Sequence, residues 1–253
     1  MRLTKWIASA FLISGVVLAQ SSDVKQPKLK SQKEQEAVMA IFNASDPAVR
    51  MKATDDLLGK FADTEFKSTA LYIATASAEE SNNWEKTVIY GERTLEADPK
   101  NYGAMLILAR GYVGHTKEFD FDREEKLGKV DRYAKGALEL LKTAPKIRPD
   151  IPDDQWEAQR KSWISEGYES LGLAAGVRKK YDDAINFYNQ GLEATPGNQN
   201  LLTRIAQANL DAKKYDAAIA AVDKVLALPN LNPQVKSIAE NVKKSALAGK
   251  GAK

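Results

Sequence analysis

The chain has 253 residues, 43% of them hydrophobic, with 37 Lys and Arg against 34 Asp and Glu, one histidine and no cysteine. That composition suits a folded domain. It excludes disulfides and thiolate metal sites, and leaves His115 no second histidine or cysteine with which to build a zinc site or a nucleophile–histidine pair. A formal net charge of +3 is too small for recognition of nucleic acid through its phosphates.

The first 19 residues differ from the rest. Arg2 and Lys5 precede a mostly apolar run from Trp6 to Leu18, and Val17-Leu18-Ala19 leads to a cleavage point before Gln20. This pattern predicts a secretory signal peptide over 1–19. The other reading is a retained anchor, but a bilayer span needs about 20 apolar residues and the run is shorter. No cysteine follows the cleavage point, so a lipid anchor of that type is excluded. The expected location is periplasmic or secreted. Without Arg2 and Lys5, 35 basic residues face 34 acidic ones, for a net charge of +1. Residues 20–31 read as a disordered polar linker.

Residues 32–43 form a predicted amphipathic helix with Val38, Ile41 and Phe42 facing inward. A second helix over 47–61 starts on Asp46 as N-cap with Pro47 in its first turn, and Met51, Leu57, Leu58 and Phe61 line its apolar side. Helical patterns then recur to the end of the chain, and strand signals are nearly absent.

The segment KKYDDAI at 179–185 returns as KKYDAAI at 213–219, a displacement of 34 residues. Leu171 moves onto Ile205, Gly172 onto Ala206 and Leu192 onto Leu226 with the same shift. Within 165–196, Tyr168, Leu171, Gly172 and Ala175 share one helical face. Ala184, Tyr188 and Gly191 share the next, and Pro196 ends the unit because proline cannot continue a helix. Gly172 is expected opposite Ala184, with Tyr168 and Tyr188 filling the space on either side. Trp84, Thr87, Val88, Leu95 and Pro99 repeat the second-helix pattern earlier, and Leu71, Ala74 and Ala78 supply the helix before it. Met105, Leu108, Ala109 and Tyr112, then Tyr133, Ala137, Leu140 and Pro145, give a degenerate copy.

These residues resemble the tetratricopeptide repeat, whose signature alternates large, apolar and small positions over two helices and closes on proline. Only the Ala175 position departs, where the family prefers an aromatic residue. The resemblance implies an all-α solenoid of antiparallel helix pairs with about 11 helices. The expected units lie at about 68–101, 102–145, 165–198 and 199–232, within one continuous array over 32–247. The pair 32–61 is a divergent unit. Pro233 to Leu247 is a capping helix whose Val235, Ile238, Val242 and Leu247 cover the last unit. Residues 248–253 are expected to be frayed.

Two insertions interrupt the frame. In His115–Gly128 (HTKEFDFDREEKLG), four carboxylates cluster at Asp120, Asp122, Glu124 and Glu125, but the glycine turn and distal glutamate of a calcium loop are missing. Asp122 is therefore expected to cap a helix, and Phe119 and Phe121 to lie against neighbouring helices. In the second insertion Pro145, Pro149 and Pro152 lead to an extension holding Trp156, Arg160 and Trp163. Trp156 and Trp163 either rest on the preceding helix or form an edge contact for a partner.

The family's first helices line a groove that takes extended peptides or a partner helix. Carried onto this chain, the candidate groove residues are Thr69, Tyr72, Ala76 and Glu79, then Leu106, Arg110 and Val113, then Glu166, Glu169 and Leu173, then Asn200, Thr203, Gln207 and Leu210. The lysine and asparagine slots that clamp a C-terminal carboxylate hold Tyr72, Leu106, Glu169 and Thr203 instead. The implied function is a non-catalytic scaffold for a protein or peptide, with no cofactor, metal or catalytic residue assigned. An envelope-assembly helper using its outer face, or a hydrolase using paired carboxylates, are the other readings.

Overall fold

The structure is a computed structural model that describes residues 27–146 and 150–252. Among the described residues there are eleven helices and no strand, the all-α architecture expected from the repeats. The signal segment 1–19, most of the linker and Pro149 lie outside the described residues. The chain divides into two compact units, with the boundary between Pro99 and Lys100. The division falls just after Pro99, which ends the repeat at 68–101 and cannot extend the helix before it.

The first unit holds α1 (Gln32–Asn43), α2 (Pro47–Lys60), α3 (Lys67–Glu80) and α4 (Trp84–Ala97). Their starts are written in local chemistry. The Ser31 side chain accepts from the Glu34 amide, Asp46 from the amides of Ala48 and Val49, and Asn83 from that of Lys86. Val38, Ile41, Leu57 and Ala70 join α1, α2 and α3, and Met51, Leu71, Ala74, Ala78 and Tyr90 join α2, α3 and α4. Phe42 does not face inward as expected but is exposed, because it sits one residue from the end of α1.

The expected free linker is also tied down at its end. The Lys28 amide donates to Glu65 at 3.0 Å, and Lys30 Nζ reaches Asp63 Oδ2 at 2.6 Å. That contact raises the Lys30 pKa and lowers that of Asp63.

The second unit holds α5 (Tyr102–Gly114), α6 (Arg123–Leu141), α7 (Asp153–Val177), α8 (Tyr181–Ala194), α9 (Gln199–Asp211), α10 (Tyr215–Leu226) and α11 (Pro233–Gly251). Helices α5 and α6, α7 and α8, and α9 and α10 pack as pairs. The turns closing α7 and α9 are copies of one another. Lys179 and Lys213 take positive φ values of 60° and 58°, and the next amides, Lys180 and Lys214, donate back to Ala175 O and Asn209 O. The duplicated KKY sequence therefore encodes a duplicated helix-ending turn.

Gly172 faces the ring of Tyr188. A Cβ on Gly172 would lie 2.2 Å from Tyr188 Cε1, so the glycine makes room for the aromatic ring. One repeat later the same two positions hold Ala206 and Val222, both fully buried in the next core layer. A larger residue on the first helix accompanies a smaller one on the second.

Helix α11 does not fray after Leu247 but continues to Gly251. Its Ala239 and Val242 cover Ala206, Val222 and Val225. Gly249 lies against Tyr215, and Lys250 pairs with Asp216, so the last turn has tertiary contacts that sequence periodicity did not reveal. Ile238 and Leu247 point outward, contrary to expectation, because they flank the buried stripe of Ala239, Val242 and Ala246 on either side of it.

The extension at the start of α7 is part of the core. Trp156 is 7% exposed and its ring centroid lies 5.8 Å from that of Trp163. Trp163 in turn meets Tyr102 at 5.4 Å beside Leu106, Ala137 and Leu141. Arg160 donates to Leu141 O at 2.9 Å, satisfying a carbonyl at the end of α6. Of the two readings of this pair the packed one describes the structure: Trp163 seats α7 on α5 and α6, and Trp156 is buried beside it, not displayed at an edge.

Candidate functional site

The candidate groove residues separate by unit. Thr69 is exposed on α3, while Tyr72, Ala76 and Glu79 are half-buried on the same helix. In the second unit, the first helices α5, α7 and α9 carry the remaining candidates.

Several of these do not face a groove. Leu106 is 2% exposed and belongs to the core under Trp163. Val113 is buried, and Leu210 packs with the layer beneath α11. Thr203 is 7% exposed, and its hydroxyl donates to Gln199 O at 2.7 Å. The physical reason is common to all four. A first helix in a stack has neighbours on three sides, so its solvent-facing stripe is narrower than a repeat alignment implies.

The charged candidates are joined into pairs between successive first helices. Arg110 of α5 pairs with Glu166 of α7, and Glu169 of α7 accepts from Arg204 Nε of α9 at 2.5 Å. Arg204 was not among the residues read from sequence. It stands 35 residues after Glu169, one repeat plus one position, and that spacing between opposite charges could have found it.

Next to the Glu169–Arg204 pair lies a pocket of about 500 Å³. Leu173 and Val177 of α7, Tyr188 of α8 and Ala208 of α9 give its apolar wall. Arg204, Gln207, Asp211 and Lys179 give its polar rim, which Glu118 of the α5–α6 loop joins through its ion pair to Lys179 at 2.5 Å. Gln207 is exposed and donates to Asp211 Oδ1 at 2.7 Å, and Asn200 is exposed one turn before the pocket. Burial pushes the Tyr188 phenol up to about 12. An apolar cleft with a few converging polar groups of both signs can hold one side chain of a peptide and bond its backbone.

The acidic insertion behaves differently from its expected capping role. Asp122 makes no side-chain bond to the start of α6 and instead pairs with Lys126 at 2.9 Å. Asp120 accepts from the Lys117 amide at 2.9 Å, a bond that lowers its pKa. Among the described residues no group of three or more His, Asp or Glu is placed to hold a metal ion. His115 caps the end of α5, exposed, with Nδ1 2.9 Å from Gly111 O.

Phe119 and Phe121, expected against neighbouring helices, are instead 90% and 110% exposed. Among the described residues no helix covers these rings, because α6 leaves their loop directly at Arg123.

The profile of the tetratricopeptide repeat matches residues 177–241, from the end of α7 through α8, α9 and α10 into α11. No curated protein matches the chain. Several solved structures are similar, three of them as follows. A thermophilic tetratricopeptide-repeat protein of Thermus thermophilus is 17% identical, with a TM-score of 0.47, covering 85% of this chain and 99% of its own. The protein MamA is 15% identical, with a TM-score of 0.40, covering 70% and 95%. The TPR2AB domain of yeast Sti1, in complex with pHSP90, is 13% identical, with a TM-score of 0.29, covering 85% and 97%.

Proposed function

We propose that this tetratricopeptide-repeat chain is a non-catalytic scaffold of the cell envelope that binds a protein or peptide. The observation that carries the reading is the pocket between α7, α8 and α9, with Leu173, Val177 and Tyr188 beneath a rim of Arg204, Gln207 and Asp211. Its mechanism is preorganisation. The walls are helices held by Glu169–Arg204 and by the Gly172–Tyr188 contact, so little ordering cost remains to be met on binding. The apolar run of residues 6–18 after Arg2 and Lys5 supports export to the envelope.

The test uses residues 20–253 as bait against the source organism's envelope extract, with elution read by mass spectrometry. Leu173→Arg fills the pocket, and Gln207→Trp blocks its rim. One stoichiometric partner lost with both variants is the expected result. A partner that both variants retain refutes the pocket, and no partner refutes the scaffold reading. Cell fractionation with N-terminal sequencing checks the location. A chain beginning at Gln20 in the periplasmic or secreted fraction is expected, and a cytoplasmic chain retaining residues 1–19 refutes it.

A further inference from the structure

The lining of the α7–α9 pocket carries two acids, Glu118 and Asp211, and two bases, Lys179 and Arg204, but their pairing is uneven. Both bases already hold a carboxylate: Lys179 pairs with Glu118 at 2.5 Å, and Arg204 with Glu169 at 2.5 Å. Asp211 has only a neutral donor. Its Oδ1 accepts from the Gln207 amide at 2.7 Å, and among the described residues no Lys or Arg pairs with it. Lys213 and Lys214 follow Asp211 in the chain but do not line this pocket. Both line the adjoining cleft at the start of α8, which Asp211 also borders, and there Lys214 holds Asp182.

The Tyr188 phenol in the pocket feels the same excess. Burial is the main cause of its raised pKa; of the charges that act on it, Arg204 lowers the value, while Glu169 and Asp211 raise it. The rest of the lining suits a long basic side chain. Leu173, Val177 and Ala208 are apolar, and Tyr181 and Tyr188 add aromatic rings. Lys and Arg have a hydrocarbon stem that lies along such a wall and a charged head that meets a carboxylate or an aromatic face. An acidic side chain would meet Asp211 and would have to displace Glu118 or Glu169 from its base. An apolar one would cover Asp211 without replacing its water.

We propose that Asp211 makes the pocket selective for a Lys or Arg side chain of the bound peptide, with the stem along Leu173 and Val177 and the charged head on Asp211 Oδ2. This rests on the peptide-binding reading of the pocket and adds the class of residue that it takes.

The experiment pans phage displaying short random peptides on the chain from residue 20 and keeps the sequences that its Leu173→Arg variant no longer binds. The kept peptides are synthesised with fluorescein, and their affinities are read by anisotropy. They should share a Lys or Arg beside apolar residues, and their binding should weaken with salt. Asp211→Asn should lower affinity about fivefold or more, as should norleucine in place of the shared basic residue, and both changes together should cost no more than either alone. Asp211 is exposed, so circular dichroism should not distinguish Asp211→Asn from the parent chain. Kept peptides without a shared basic residue, or with affinity unchanged in Asp211→Asn, overturn the proposal and leave the pocket as a peptide site. Absence of any peptide that depends on Leu173 overturns the pocket reading and this proposal with it.

Discussion

Gly172 is the position where a single methyl group should do the most informative damage. Alanine is a better helix former than glycine by about 0.5–1 kcal/mol, so an unobstructed substitution in α7 would stabilise the chain. At Gly172 the added Cβ meets Tyr188 Cε1 at 2.2 Å and Cδ1 at 2.5 Å. That ring is 4% exposed and packed with Ala175, Ala184, Leu201 and Ala208, so moving it aside disrupts that packing. Overpacking of this kind costs about 1–3 kcal/mol. The steric cost outweighs the propensity gain, and Gly172→Ala should destabilise the second unit by about 1 kcal/mol. At about 2–4 °C per kcal/mol for a chain of this size, the melting temperature falls by a few degrees. Two controls come from the chain itself. A methyl group added at Gly128 on α6 would meet nothing within 4 Å, so Gly128→Ala should raise stability by about 0.5–1 kcal/mol. The double change Gly172→Ala/Tyr188→Val recreates the Ala206 and Val222 pair of the following repeat and should recover most of the loss. Thermal and urea melts by circular dichroism give all three values. If Gly172→Ala proves stabilising, or the double change is no better than the sum of its parts, the steric argument fails.

Three further outcomes are expected. Tyr188, through burial, and Tyr90, through burial and then its bond to Asp55, have pKa values raised from 10 to about 12. The folded state therefore holds these protons more tightly than the unfolded state, and stability is full below pH 10 and falls as pH rises towards about 12. Absorbance at about 295 nm should show a late-ionising phase that shrinks in Tyr188→Phe and in Tyr90→Phe, and a phase unchanged in both variants would contradict it. Trp156→Ala should cost about 3 kcal/mol or more in stability, because it empties a site against Trp163; lost binding in a chain with an unaltered melt would restore the edge-contact reading. Reversing Glu169→Arg or Arg204→Glu alone should destabilise, and the exchange of both should recover about 0.5–1 kcal/mol. A double-mutant cycle without coupling would show that the pair does not tie α7 to α9.

The helices, their caps and their pairing could be read from the chain because their causes are local. Ser31, Asp46, Asn83 and Asn198 lie within three residues of the amides they cap. The KKY turns carry their own helix-ending geometry, and a 34-residue period requires each unit to bury its apolar face against the next. The site was less legible. Periodicity places Leu106, Thr203 and Arg110 on one side of a helix, but it does not say which neighbour covers that side. Burial of Leu106 depends on Trp163, which arrives from 57 positions away, and the partner of Glu169 is 35 positions away on another helix. The same limit explains Phe119 and Phe121. Their composition predicts burial, yet burial needs a neighbour, and α6 departs without providing one. Spacing along a helix is set by backbone geometry shared by every chain, whereas exposure is set by what the rest of this chain brings alongside.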